Sequence, residues 1–552
     1  MTTTVELGRF PSRGGKGRQA LWWVVDHGSK PTPALTRHPS EAGILHRGRI
    51  ARPRGQNLSP EASGVPSLHS ELCERAILSI TLFLIVFAPV AYGAVEPWAR
   101  NLVLLSIGSM ACIWLWQFVS LGRPKLSFPP FFPAAVLFLV VIGLQLVPLP
   151  GALKDFLTPA RLPLVTTTRA DSVKWLPLTA NPGKTAVGVV SFAACLALCF
   201  VLLNTFRHRR WVRITLTVLL TLGSLEALYG LAEYWTGHQH IFWYQKIYYL
   251  EEVTGTYINH NHFAGLLGPI LVLAIGVFVV RFARFVAGRS YTFAEDGRSV
   301  WKKVTATARL LRHLPGRQAL LLGAIGFMAV ALILSQSRGG LISCSIALGL
   351  QMVLLSKMRS RSTEILQALG VLALLAAIVA AVLAPRVLTR FSYAQRDAPE
   401  RFELWQDSAR IVRDYPLLGA GLGTYRDVFR NYRPQKDFFF VAGIPQPAAI
   451  NYAHNDYLQL LTECGFVGFG LMTWALVVTL RHLFSRFSNH ADWEIATVGS
   501  SLTAGIVGFL LHSLVDFNMH IPANALMFCL LVTIALVLAA NGETDGANVD
   551  SG

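Results

Sequence analysis

The run HFAGLLGPILVLAIGVFVV, from His262 to Val280, contains no Asp, Glu, Lys or Arg. As a helix rising about 1.5 Å per residue it is long enough to cross the roughly 30 Å hydrocarbon core of a bilayer. Eleven further apolar runs lie on either side, at 76–93, 101–121, 131–150, 185–205, 212–235, 318–334, 341–356, 364–384, 456–480, 494–515 and 522–540. Composition agrees: 53% of the 552 residues are hydrophobic and 14% charged, against about 25% charged in soluble domains, and mean hydropathy is +0.46. The expectation is an all-α integral membrane protein with about twelve transmembrane helices and a large extracytoplasmic loop before the tenth.

The 49 basic and 31 acidic residues leave a net charge of +18. In a soluble chain that would point to nucleic acid, but here the bases sort by membrane side. With the amino terminus inside, the cytoplasmic loops carry Arg123 and Lys125; Arg207, Arg209, Arg210 and Arg213; a cluster from Arg281 to Arg317; Lys357, Arg359 and Arg361; and Arg481 and Arg486. Arg100, Lys246 and Arg338 are the only bases in four short opposite loops. This positive-inside asymmetry predicts both termini in the cytoplasm, membrane lipids as partners and no nucleic acid.

Residues 1–75 are rich in Arg, Gly, Pro and Ser and read as a disordered basic cytoplasmic tail. Residues 76–540 form the polytopic domain, 386–455 its large outer loop, and 541–552 a second cytoplasmic tail. A loop of that length calls for a function. Within it Asp397 to Glu400 read as a helix start, and Phe402, Trp405, Ala409 and Val412 recur at helical spacing before Tyr415-Pro416 stops the helix. The expectation is an amphipathic helix across the outer mouth of the bundle. The seven cysteines show no metal-finger spacing; Cys195 and Cys199, one turn apart, read as helix packing.

Charged groups in or beside a membrane are costly and mark candidate sites. Arg338 sits in Ser335-Gln-Ser-Arg-Gly-Gly340, a short outer turn whose Ser337 hydroxyl and close-approach glycines suit an anionic oxygen. The alternative is an arginine that merely snorkels to headgroups. His454-Asn-Asp-Tyr-Leu-Gln459 opens the tenth run; an imidazole there can act as base or charged donor, and Asn455 or Asp456 can equally be a helix cap. Thr254-Gly-Thr-Tyr-Ile-Asn-His-Asn-His262 leads into the run from 262, with Tyr257, Asn259 and Asn261 as polar lining of an outer vestibule. No carboxylate or cysteine accompanies His260 and His262 at ligand spacing, so no metal is expected. Glu226 and Glu233 share one helix face, as proton-relay groups or as groups paired inside the bundle. Gly419-Ala-Gly-Leu-Gly-Thr424 lacks the third glycine of a dinucleotide fingerprint and reads as a tight turn.

Together these segments resemble the O-antigen ligase and polymerase superfamily. The resemblance spans approximately 250–530 and rests on 254–264, on 335–340, on Arg401 to Trp405 with the following Pro416-Leu-Leu-Gly-Ala-Gly-Leu-Gly423, and on His454-Asn455 with Gly465 and Gly468 at the ligase spacing. It implies a cofactor-free, metal-independent glycosyltransferase of the bacterial inner membrane, with its active site facing the periplasm. The donor would be a glycan on undecaprenyl diphosphate and the acceptor a saccharide or lipid A core; an apolar groove between helices would take the polyprenyl chain.

By motif, Arg338, Arg401 and His454 correspond to the essential residues of the family, with Asn455, Asn259, Asn261, Ser337 and Tyr257 as substrate-binding candidates. Arg410, Arg413, Arg426, Arg430 and Arg433 compete with Arg401 for its role. The motifs leave ligase, polysaccharide polymerase and protein O-oligosaccharyltransferase open, and a solute transporter of the inorganic-carbon type is the reading from another class.

Overall fold

The computed structural model describes residues 68–120, 126–157, 175–206, 208–287, 312–357, six positions between 368 and 376, 394–433, 438–441, 444–447 and 450–546. The helices are α1 (Leu68–Val90), α2 (Pro97–Ser120), α3 (Phe132–Leu144), α4 (Gly151–Leu157), α5 (Pro182–Thr205), α6 (Arg209–Thr236), α7 (His260–Ala287), α8 (Gly316–Leu334), α9 (Arg338–Ser356), α10 (Ala394–Asp414), α11 (Tyr425–Phe429), α12 (Asp456–Ser488), α13 (Trp493–His512) and α14 (Pro522–Gly546). Sheet is confined to three two-stranded hairpins: β1 (Pro148–Pro150) with β2 (Trp175–Pro177), β3 (His240–Ile241) with β4 (Tyr244–Gln245), and β5 (Phe438–Val441) with β6 (Ile444–Pro447).

The protein is an all-α polytopic membrane protein, with ten helices among the described residues long and apolar enough to cross a bilayer. Two of the twelve expected runs fall outside that ten. The run 364–384 lies almost wholly outside the described residues. The run 131–150 yields a helix of only 13 residues, α3, about 20 Å at 1.5 Å per residue. Gln145 ends it: its amide donates to the carbonyls of Leu418 (2.6 Å) and Glu463 (2.9 Å) and accepts from Leu422 N (3.0 Å), so the chain turns away to satisfy a buried polar group. At the other end, α1 starts at Leu68, inside the stretch read as tail.

Helices α7, α13 and α14 form the middle of the bundle, and α2 and α5 its lipid-facing rim. Small residues let the central helices approach closely. A Cβ on Gly276 would strike Ser501, and one on Gly508 would strike Ala347. Gln351 of α9 bridges the two other helices, donating to Ser501 Oγ (2.8 Å) and Val272 O (3.1 Å), which satisfies a polar group that apolar surroundings would otherwise penalise.

One end of the bundle collects the amino-terminal ends of α7, α9, α12 and α14, the carboxy-terminal end of α13, and α10. The amphipathic α10 is present as expected, but its buried face differs from the one read in the sequence. Leu404, Ser408 and Ile411 are buried, whereas Phe402 and Ala409 are exposed and Trp405 and Val412 only half-buried. The helix packs against the chain around it, with Tyr415, Tyr425, Val428 and Phe429, so an internal cluster selects its face.

Candidate functional site

Two helix entrances are built alike. Before α9, Gln336 takes a left-handed backbone (φ 56°) and the Ser337 hydroxyl caps the helix by accepting from Gly340 N (3.2 Å), which puts Arg338 in the first helical position. Before α12, His454 takes the left-handed backbone (φ 48°) and the Asn455 side chain accepts from Tyr457 N (3.0 Å) and Leu458 N (2.9 Å). Left-handed backbone at a residue other than glycine is strained and needs its surroundings to hold it. Around His454 those surroundings are clear: Ala453 N donates to Gln459 Oε1 (3.1 Å), Asp456 N to Ser513 O (2.9 Å), and Asp456 carries His520 Nδ1 (2.8 Å) and Met519 N (3.0 Å).

Helix α10 lies over both entrances. Arg401 Nη1 donates to Val515 O (3.0 Å) and, one turn on, Trp405 Nε1 donates to Ala453 O (3.0 Å), so one face of the helix fixes the residues beside Asp516 and His454. Arg338 and Arg401 converge on a single pocket of about 60 Å³, lined also by His260, Asn261, Gln336, Gly339, His512 and Val515. Arg401 is thus singled out from the arginines that crowd its loop: Arg410 pairs with Asp407, and Arg433 with Glu403 and Asp407.

Asp516 is the residue that the sequence reading missed. It is 1% exposed in the turn between α13 and α14, with Oδ1 accepting from Phe517 N (2.9 Å). Three histidines from three different segments surround it. His454 Nδ1 lies 3.7 Å and His262 Nε2 4.0 Å from Oδ1, and His512 Nε2 lies 4.0 Å from Oδ2. These separations suit charge attraction and are long for direct hydrogen bonds. Burial works to raise the Asp516 carboxyl, but the neighbouring His454, His262 and His512 outweigh it and hold the group below the usual carboxylate range. His454, with a side chain 37% exposed, is therefore the open end of a buried acid–imidazole cluster. Nothing in the spacing of positions 454 and 516 announces this; the only signal in the sequence is an acidic residue in the short turn between two apolar runs.

The other sequence candidates divide. Asn261 lines the pocket. Asn259 Oδ1 accepts from Asn261 N (2.8 Å) and shapes the start of α7. Ser337 and Asn455 serve as the caps already described. Tyr257 is 1% exposed and donates to Asn524 Oδ1 (3.0 Å), away from the pocket lining. Glu226 accepts from Thr256 N (2.9 Å) and Thr256 Oγ1 (2.7 Å), and Glu233 faces Lys246 at 3.9 Å, which is the paired reading of those carboxylates. Among the described residues no group of three or more His, Cys, Asp and Glu is placed to hold a metal ion.

The motif spacing from His454 to Gly465 and Gly468 acquires a physical reason. Gly465 breaks α12 with φ 63°, and a Cβ there would sit 2.3 Å from Leu417 O. The loop 416–425 is stitched into the break by Phe466 N to Pro416 O (2.7 Å), Ala420 N to Thr462 O (2.9 Å) and Gly421 N to Glu463 O (3.0 Å). The buried Glu463 carboxylate accepts from Gly423 N (2.8 Å) and Tyr425 N (3.2 Å). Gly419, Gly421 and Gly423 all have positive φ and make the tight turn. The loop that holds α10 is thereby anchored one helical segment below His454.

The fold and site define a polytopic membrane protein with two arginines and a histidine–aspartate cluster at one end of its bundle. Residues 323–473 match the family model described as O-antigen ligase (Wzy_C), which bears out the resemblance to the O-antigen ligase and polymerase superfamily. The match contains Arg338, Arg401 and His454, whereas His260, Asn261, His512 and Asp516 lie outside it. A comparison with curated proteins finds no match.

Proposed function

We propose that the protein is a glycosyltransferase that moves or polymerises a glycan from an undecaprenyl-diphosphate donor onto a saccharide acceptor at the periplasmic face of the bacterial inner membrane. The observation that carries this reading is the convergence of Arg338 and Arg401 on one pocket beside the loop that holds His454 and Asp516. A lipid diphosphate is already a good leaving group, so the protein mainly has to hold its negative charge. Two guanidinium forks do this with directed hydrogen bonds.

In the proposed step the acceptor hydroxyl oxygen bonds to the anomeric carbon, and the bond from that carbon to the diphosphate oxygen breaks with its electron pair staying on oxygen. The acceptor proton passes to His454. Asp516 faces Nδ1 of His454, an arrangement that favours the proton on Nδ1, leaves Nε2 as the base and stabilises the imidazolium once formed. Single displacement inverts the anomeric centre. Helix α10 would cover the site. The test is glycan transfer by the purified, membrane-reconstituted protein from a polyprenyl-diphosphate donor, comparing wild type with Arg338→Lys and His454→Ala. Undiminished transfer in both variants would overturn the reading.

A further inference from the structure

His512 has no part in the scheme above, yet it is placed as if it should. It is the last residue of α13, is 2% exposed, and lines the pocket of Arg338 and Arg401. The chain makes room for it. A Cβ on Gly339 would lie 2.7 Å from Cγ2 of Val515 and 3.0 Å from Cδ2 and 3.3 Å from Nε2 of His512, and one on Gly340 would lie 2.7 Å from Cβ of Ala264 and 3.4 Å from Cε1 of His512. The two glycines that follow Arg338 therefore let an imidazole edge lie against the first turn of α9. Asp516 completes the geometry, because its Oδ1 faces His454 and its Oδ2 faces His512.

We propose that His512 is a further ligand of the anion this pocket accepts, a proton-gated third cation beside Arg338 and Arg401. The inference rests on the diphosphate reading of the pocket. Imidazole is the side chain that changes charge near neutral pH. The groups facing His512 are Asp516 and, farther off, Asp456 on the acidic side, and on the cationic side Arg338, Arg401 and His260 of the pocket together with His262, which shares Asp516 with it.

With the pocket empty, burial and then Arg401 oppose a proton on His512. A diphosphate reverses that balance and draws the proton to His512.

The experiment measures binding of polyprenyl diphosphate to the full-length protein in nanodiscs between pH 5.5 and 8.5, for wild type, His512→Gln, Gly339→Ala and Arg338→Ala. The ratio of wild-type to His512→Gln affinity cancels the titration of the ligand itself. It is expected to be about tenfold at the acid end, the size of one charge-assisted hydrogen bond, and to fall toward one as pH rises. Gly339→Ala keeps the imidazole but crowds it together with Val515; a displaced imidazole should weaken binding with the same pH trend, whereas a shift of Val515 alone would weaken it equally at every pH, so the trend makes this the second test if the buried glutamine disturbs folding. A ratio near one throughout, or a deficit that does not change with pH, overturns the role of His512. Should wild type bind polyprenyl diphosphate no better than polyprenol, with Arg338→Ala making no difference, the diphosphate reading of the pocket itself has failed.

Discussion

The entrances to α9 and α12 use one backbone device for opposite electrostatic purposes. Each has a left-handed residue, then a capping side chain, then the helix. At α12 the first helical residue is Asp456, whose charge suits the positive end of the helix and which is spent on His520 and Met519; the residue proposed as the base is His454, two positions earlier. At α9 the first helical residue is Arg338, whose charge opposes the helix dipole. A local rule is broken there, and the pocket shared with Arg401 is where the compensation would come from, through a bound anion. The contrast separates a helix start whose charge agrees with its dipole from one whose charge opposes it, and the proposed anion supplies the reason for the second.

The largest expected effect breaks the α12 side. His454→Ala should lower glycan transfer by about 10²- to 10⁴-fold, the usual worth of a general base, with the protein still folded in the membrane. In wild type the rate should fall toward acid pH, because the base must be neutral. His454→Gln keeps a hydrogen bond without accepting the proton, so it should be as inactive as the alanine variant. A rate that rises toward acid pH would make His454 a cation on the diphosphate instead.

Next comes Asp516→Asn, for which a loss on the order of 100-fold in transfer rate is expected, with donor binding retained, since the amide cannot hold the imidazolium. Unchanged transfer would mean that the acid–imidazole cluster is only structural. Arg338→Lys probes the α9 side and should cost about 10- to 100-fold, because an ammonium keeps the charge but not the fork. A lysine variant close to wild type would return Arg338 to a residue that snorkels to headgroups.

Smaller and purely structural are the caps. Asn455→Ala and Ser337→Ala should each lower stability by about 1 kcal/mol, measured by thermal unfolding in detergent. The loss should be greater for Asn455, which accepts from two backbone N–H groups. Equal losses would show that the two entrances are energetically alike despite their different charges. Smallest of all is the expected effect of chelation. EDTA should leave transfer unchanged, and loss restored by Mg2+ or Mn2+ would overturn the account in which side-chain cations carry the diphosphate charge.

Much of the fold could be read from hydropathy because a bilayer demands long apolar runs with internally bonded backbone, a constraint that each run meets by itself. The short α3 escaped because the demand that ended it came from Gln145 reaching Leu418 and Glu463, far along the chain. The buried face of α10 escaped for a related reason. Phe402 and Leu404 are both apolar, and only the partners gathered around the helix decide which of them is covered.

The site divides along the same line. Arg338, His454 and the glycines at 465 and 468 are visible in the sequence because each belongs to a short contiguous motif, although the residues that hold His454 and the break at Gly465 in place come from 513–520 and 416–421. The choice of Arg401 over its neighbours, the meeting of His454, His262 and His512 at Asp516, and the packing of His512 against Gly339 and Gly340 belong to the tertiary structure alone. They join the ends of α7, α9, α12 and α13 across long stretches of chain. Local propensity and hydropathy are blind to such pairings, because the free energy that makes them exists only once the helices have packed.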